Sequence, residues 1–219
     1  RLCRLYGVQT LAGFGQFDRA ELAAMGAVAD YLDITQKGQL PLLRPPQRDA
    51  VSRLMQIDAA TRRNLELTHA MNGGRAGSLL SVMDRTVTSA GARLLERRLT
   101  SPSRDLAVIH ARQAALHWAM KAPSTLRDSL RRVPDLDRAL SRLGLDRGGP
   151  RDLAAVRNAL AEAGGVSADL AQADLPDLLR EAVAAMQGQE DLLELLDTAL
   201  VADPPLLARD GGFVAPAYD

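Results

Sequence analysis

Residues 79–95 read Leu79-Leu80-Ser81-Val82-Met83-Asp84-Arg85-Thr86-Val87-Thr88-Ser89-Ala90-Gly91-Ala92-Arg93-Leu94-Leu95, and the break in the middle decides how the chain folds. An apolar run stops at Asp84. Asp84, Thr86 and Thr88 carry short side chains whose oxygens accept from backbone N–H groups at turns and helix starts. Thr88 is placed to cap a second helix, in which Val87, Gly91, Leu94 and Leu95 gather on one side and Arg93, Glu96 and Arg97 on the other. The stretch therefore reads as a short helix over 77–83, a polar turn, and a capped helix that Pro102 stops. A catalytic role for Asp84 lacks support, because no His or Cys accompanies it in sequence; pairing with Arg93 is the alternative structural use.

The same reading extends in both directions. Upstream, residues 8–11 (Val8-Gln9-Thr10-Leu11) read as one strand. Asp18 and Glu21 then form a capping box, each side chain satisfying a backbone N–H at a helix start. Leu22, Met25, Val28 and Leu32 follow at helical spacing, and the helix should end near Gln36. Pro41, Pro45 and Pro46 mark residues 41–50 as a linker. Residues 53–57 read as a short strand or extended lead-in, and Asp58 caps a helix through Thr68 that Asn72-Gly73-Gly74 breaks. Beyond Pro102 a helix spans 105–120, with Leu106, Ile109, Leu116 and Met120 as its buried stripe. Further helices are expected at 124–132, 135–143, 150–163, 176–187 and 189–202. Pro150 and Pro176 stand where a first helical residue tolerates a missing N–H, and Pro204-Pro205 closes the last helix.

Composition agrees. Hydrophobic residues make up 47% of the 219, aromatics only 3%, so the core must be built from Leu, Ala, Val, Ile and Met. That favours helices packed on helices over strands. The 27 basic and 27 acidic residues balance, whereas a general electrostatic binder of nucleic acid carries a basic excess. Cys3 stands alone, which excludes an internal disulfide and fits a reducing compartment. No apolar run is long enough to span a bilayer. There is no signal peptide or initiator Met, and a chain running from Arg1 to Asp219 reads as a segment of a longer protein.

The candidate chemical sites are weak. His110 and His117, seven apart, share a helix face, but zinc sites on helices use closer spacing plus a carboxylate or thiolate. A helical metalloenzyme is the reading they would support. Arg93, Arg97, Arg104 and Arg112 suit phosphate contact less well than a solvated face bridged to Glu96 and Asp105. Neither Lys37 nor Lys121 follows the Gly-rich backbone that a phosphate-binding loop needs.

Three stretches resemble the MutS family of mismatch-repair proteins. The first is 58–67, with Asp58, Asn64, Leu65 and Glu66. The second is 79–99, with Asp84, Thr86, Thr88, Gly91 and Arg93. The third holds Asp135 and Arg138, then Arg142, then Pro150 and Asp152. Gly13-Phe14-Gly15 with the Asp18 helix, and Arg209-Asp210-Gly211-Gly212, agree in order. Three positions depart from the family pattern: Arg98 on the apolar side of its helix, Ala217 for a Gly, and Asp137 for a Glu. The resemblance implies a mainly α fold: a multi-helix core (lever) domain, first half, over 51–219, preceded by the C-terminal part of an α/β connector domain over 1–40. It implies a parent ATPase that uses ATP and Mg, binds mismatched duplex DNA as a homodimer, recruits a MutL-type partner, and works in the bacterial cytoplasm with the nucleoid. The family's mismatch wedge, Phe-x-Glu, is absent, and no cofactor, catalytic or metal residue is expected within this segment. The alternative is a stand-alone helical protein-interaction scaffold.

Overall fold

The computed structural model describes residues 2–36, 43–47 and 53–218. Among them the chain forms eleven α-helices: α1 Leu2–Leu5, α2 Arg19–Thr35, α3 Ala59–Asn64, α4 Leu79–Met83, α5 Ser89–Thr100, α6 Leu106–Ala119, α7 Ser124–Arg132, α8 Leu136–Gly144, α9 Pro150–Leu170, α10 Asp177–Ala184 and α11 Glu190–Ala199. The only β pairing among the described residues is two isolated antiparallel bridges, Leu54 with Ser103 and Leu200 with Val214. The fold is mainly α, as expected.

Local chemistry starts these helices. The Asp18 and Glu21 side chains exchange hydrogen bonds with each other's backbone N–H at 2.8 and 2.7 Å, and α2 ends at Thr35. Thr88 Oγ1 accepts from Gly91 N at 2.9 Å and opens α5. Pro150 is the first residue of α9, after Gly149. Pro176 instead precedes α10 as its cap.

Helix α9 is the axis of the molecule: α7, α8, α10 and α11 all pack on it. Ala139 of α8, Val156 of α9, and Leu196 and Leu200 form the buried cluster, with Leu136, Leu143, Leu153, Leu160 and Phe213 packed around it. Small residues let the axes approach closely, and long apolar ones fill the gaps. α9 runs past the expected end at 163, through Gly164-Gly165, to Leu170. Val166 and Ser167, 4% and 5% exposed, carry it through; burial outweighs the glycines' cost in chain entropy.

Several expectations are corrected. Residues 8–11 are not a strand. Val8 N donates to Cys3 O at 2.9 Å, closing α1, and Thr10 caps a 3₁₀ turn at Leu11–Phe14, so no partner strand exists there. The α2 stripe is narrower than expected: Ala29 is buried while Leu22 and Val28 are exposed. The helix capped by Asp58 stops at Asn64, not Thr68, because Leu67 turns inward to a 7% exposed position. On α6 the buried face is not Leu106, Leu116 and Met120, which are 68%, 62% and 76% exposed. Val108, Ala111, Ala115 and Trp118 are half-buried instead, along with Ile109. His110, Gln113 and His117, all exposed, form a polar stripe on the outward side between Leu106, Leu116 and Met120, and the helix packs against α10. Of the expected linker 41–50, residues 43–47 are described. Leu43 and Pro46 line an apolar cleft with Tyr6, Met25 and Ala29 of the α1–α2 pair. Residues 41–42 and 48–50 lie outside the described range.

Truncating Leu196, 9% exposed in the central cluster, to Ala should cost about 2–5 kcal/mol. At roughly 2–4 °C per kcal/mol for a chain of this size, the melting temperature by circular dichroism should fall clearly. Leu116→Ala on the exposed face of α6 should leave it nearly unchanged. Equal effects of the two would mean that the packing faces are wrongly assigned.

Candidate functional site

The three motif stretches build a set of polar ties that hold helices at fixed angles. Asp58 Oδ1 accepts from Thr61 N at 2.8 Å, and Asn64 closes that helix. Leu65 follows as its C-cap, and Glu66 takes a left-handed backbone, φ +48°. The Glu66 carboxylate accepts from Met71 N, and its carbonyl accepts from Leu79 N at 2.9 Å. Leu80 N donates to Leu67 O at 2.9 Å, so the first motif grips the start of α4. At the other end of α4, Asp84 Oδ1 accepts from Thr86 N at 2.9 Å and Thr86 Oγ1 at 2.7 Å. The Thr86 hydroxyl, then its N–H, hold the Asp84 carboxyl below the usual carboxylate range. A Cβ at Gly91 would stand 2.8 Å from Thr88 Oγ1, so a side chain there would push the capping hydroxyl aside.

Arg93 does not pair with Asp84, nor does it form part of an arginine face bridged to Glu96 and Asp105. Its guanidinium forks onto both oxygens of Asp135, at 2.9 and 2.8 Å, and reaches Asp137 at 3.2 Å. Glu96 instead pairs with Arg75 at 3.0 Å. Asp135 also caps α8 by accepting from Arg138 N. The Arg93 guanidinium lowers the Asp135 carboxyl against the opposing effect of burial. Arg138 adds positive charge near both Asp135 and Asp152.

Asp152 is the second tie. It accepts from Gly149 N at 2.8 Å within the first turn of α9, and from Arg142 Nε at 3.0 and 3.2 Å. Burial pushes its carboxyl up, but the Gly149 N–H and Arg142 outweigh that and leave it below the usual range. Arg142 also donates to Arg147 O at 2.9 Å, locking the α8–α9 loop, and Arg147 reaches Gln36 Oε1 at 2.9 Å at the end of α2.

Sequence reasoning missed three features. Ser78, fully buried, caps α4 and donates to Arg75 O at 2.7 Å; a Ser just ahead of Leu79 was a readable cap signal. Arg157, 8% exposed, donates to Val201 O at 3.1 Å and Ala202 O at 2.9 Å, tying α9 to the segment after α11. Nothing in the sequence marks it, since arginines are rarely buried. Gly148 and Gly149 meet Leu143 and the Leu206 carbonyl where a Cβ would stand. His110 and His117 are both exposed, and no cluster of metal-ligating side chains occurs among the described residues. No helix among the described residues is long and apolar enough to cross a membrane.

The sequence profile of MutS domain III matches residues 60–218. The chain belongs to the MutS family. The DNA mismatch repair protein MutS of Ruegeria sp. (strain TM1040) is 63% identical over all of this chain, which covers 25% of that protein. MutS of Ruegeria pomeroyi is 64% identical, and that of Cereibacter sphaeroides (strain ATCC 17025) 62%, with the same coverage. The chain thus spans about a quarter of the length of these MutS relatives.

Because the Asp135 carboxyl is lowered by Arg93, the stability it contributes is complete above its ordinary value of 3.8 and is lost as pH falls through the lower folded value. Asp152 behaves in the same sense. Melting temperature should therefore drop on acidification below that point. Asp135→Asn keeps a capping oxygen but removes the charge, so its acid-side loss should be shallower. An acid limb identical to that of the unmodified chain would mean the Arg93 fork does not form in solution.

Proposed function

We propose that this chain is the first half of the lever of a MutS-type repair ATPase, with residues 1–40 the end of the connector domain, 41–50 a linker and 51–219 helical core. The parent protein would bind mismatched duplex DNA, hydrolyse ATP with Mg, act as a homodimer in the bacterial cytoplasm and recruit a MutL-type partner. None of that chemistry is assigned to this segment; its share is mechanical. One observation carries the reading. α9, 21 residues and so roughly 30 Å long, is packed by α7, α8, α10 and α11 and tied by Asp152 and Arg157. A long packed helix moves as one body, because tightly packed interfaces switch between discrete arrangements instead of deforming smoothly.

The buried cluster lies wholly within residues 136–213. Residues 53–104 meet that bundle through polar contacts that include the Arg93 fork and a hydrogen bond from the Arg127 guanidinium to Arg85 O. In the lever reading this polar seam sets the angle between the two blocks.

The test is coupling in the full-length protein. Arg93→Ala should slow ATP-driven release from a mismatched duplex while ATP hydrolysis stays near the unaltered rate. If both stay unchanged, the seam transmits nothing and the lever reading fails there. The 219-residue chain by itself should show no preference for mismatched over matched duplex in gel-shift titrations, and any weak binding should vanish with added salt, given its balanced charge. A salt-resistant mismatch preference would place recognition, not leverage, in this segment.

A further inference from the structure

An open cleft of about 500 Å³ lies between α3 and the loop after it, lined by Arg62, Arg63, Thr68, His69, Ala70 and Gly73 among others. Two arginines line it, and the one carboxylate bonded to its wall, Glu66 on Met71 N, pairs with neither of them. Arg75, Arg93, Arg131, Arg132, Arg142 and Arg180 each pair with a carboxylate, whereas neither Arg62 nor Arg63 makes an ion pair with any described residue. Arg62 spends only its Nε, on Ile57 O at 2.9 Å, which fixes the side chain and leaves both terminal nitrogens available. The Arg63 guanidinium has no hydrogen-bond partner among the described residues.

The rest of the cleft is prepared in the same sense. Thr68 Oγ1 and His69 Nδ1 are 3.1 Å apart. With Nδ1 accepting from that hydroxyl, the ring proton sits on Nε2, free to be donated. Four of the loop's amides are occupied: Ala70 N donates to Gly74 O, Gly73 N to Ala70 O, Gly74 N to Asn72 Oδ1 and Met71 N to the Glu66 carboxylate. Glu66 holds this loop from a left-handed backbone that a non-glycine residue rarely adopts. Such conformations persist only where surrounding contacts over-determine them. The loop is thus held in shape, and the donors it presents are side chains: two guanidinium forks, and the His69 imidazole in the tautomer that carries its proton on Nε2.

We propose that this cleft is a binding site for a phosphate group. Donors from three side chains match a tetrahedral oxyanion better than a planar carboxylate, which a single arginine fork satisfies. This inference does not rest on the lever reading and adds a ligand to a segment otherwise assigned only mechanics. The phosphate has two sources to distinguish, a small phosphorylated molecule and the backbone of a nucleic-acid strand.

The probe is inorganic phosphate titrated into the 219-residue chain, followed by ³¹P line broadening at low salt. Saturable binding is expected, weakened about tenfold by Arg63→Gln and by His69→Gln and unaffected by Arg209→Gln. Circular dichroism melts verify that the variants fold. On the unaltered chain, phosphate should protect Arg63 from phenylglyoxal modification read by mass spectrometry, which holds even if a variant unfolds. Displacement of phosphate by a duplex oligonucleotide assigns the site to nucleic-acid backbone. Binding that the duplex does not displace assigns it to a small phosphorylated ligand. Absence of saturation, unprotected Arg63, or equal weakening by Arg209→Gln would overturn the proposal.

Discussion

Val156 sits within α9 at 6% exposure, with Ala154 and Ala159 beside it at 7% and 4%. A helix with this much of its surface apolar cannot remain solvated; it has to be enclosed by other helices. That requirement places α7, α8, α10 and α11 around it. It also explains the composition. With 3% aromatics, the core cannot be filled by a few large rings, so many aliphatic side chains must interlock along a long axis. Helices α7, α8, α10 and α11 are arranged on that axis.

Apolar packing alone would leave neighbouring helices free to slide and rotate, because the hydrophobic effect has no direction. The directional information comes from polar ties at the helix ends. Asp152 joins the first turn of α9 to Arg142 near the end of α8. Arg157 satisfies two carbonyls after α11. The Arg93 fork on Asp135 joins α5 to the start of α8. Arg93 is half-exposed, so its pair is screened by salt and contributes geometry more than stability. Arg157 differs, since its charge is buried against backbone carbonyls and losing it would leave those acceptors unpaired.

What the sequence made legible was local. Asp18 with Glu21, Asp58 and Thr88 mark helix starts because the partner N–H lies within three residues of each. Helix α8 was readable for the same reason, through Asp135, whereas α7 and α11 have no side-chain cap and α11 ends at Ala199, short of the expected 202. What stayed hidden was set by distant partners. Nothing near Gly164 announces that Val166 will be buried. The strand expected at residues 8–11 failed because a strand is defined by a neighbour, and α1 supplies a helical one. Among the motif residues, the family resemblance marked Arg93 and Asp135 separately; their union across 42 positions appears only in three dimensions.

The contrast between the two kinds of arginine follows from this. Two of the paired arginines, Arg93 and Arg142, bind carboxylates that also hydrogen-bond the start of a helix, Asp135 and Asp152. The pair then acts on the helix axis, not merely on two side chains. Arg62 and Arg63 touch no such carboxylate, and they stand beside a loop whose shape is fixed by Glu66. Fixing the scaffold while leaving the donors free lowers the ordering cost of taking up an anion, since little of the loop must be frozen on binding. The same chemistry, a guanidinium fork, is thus closed where the fold needs an angle and open where the surface can receive a ligand.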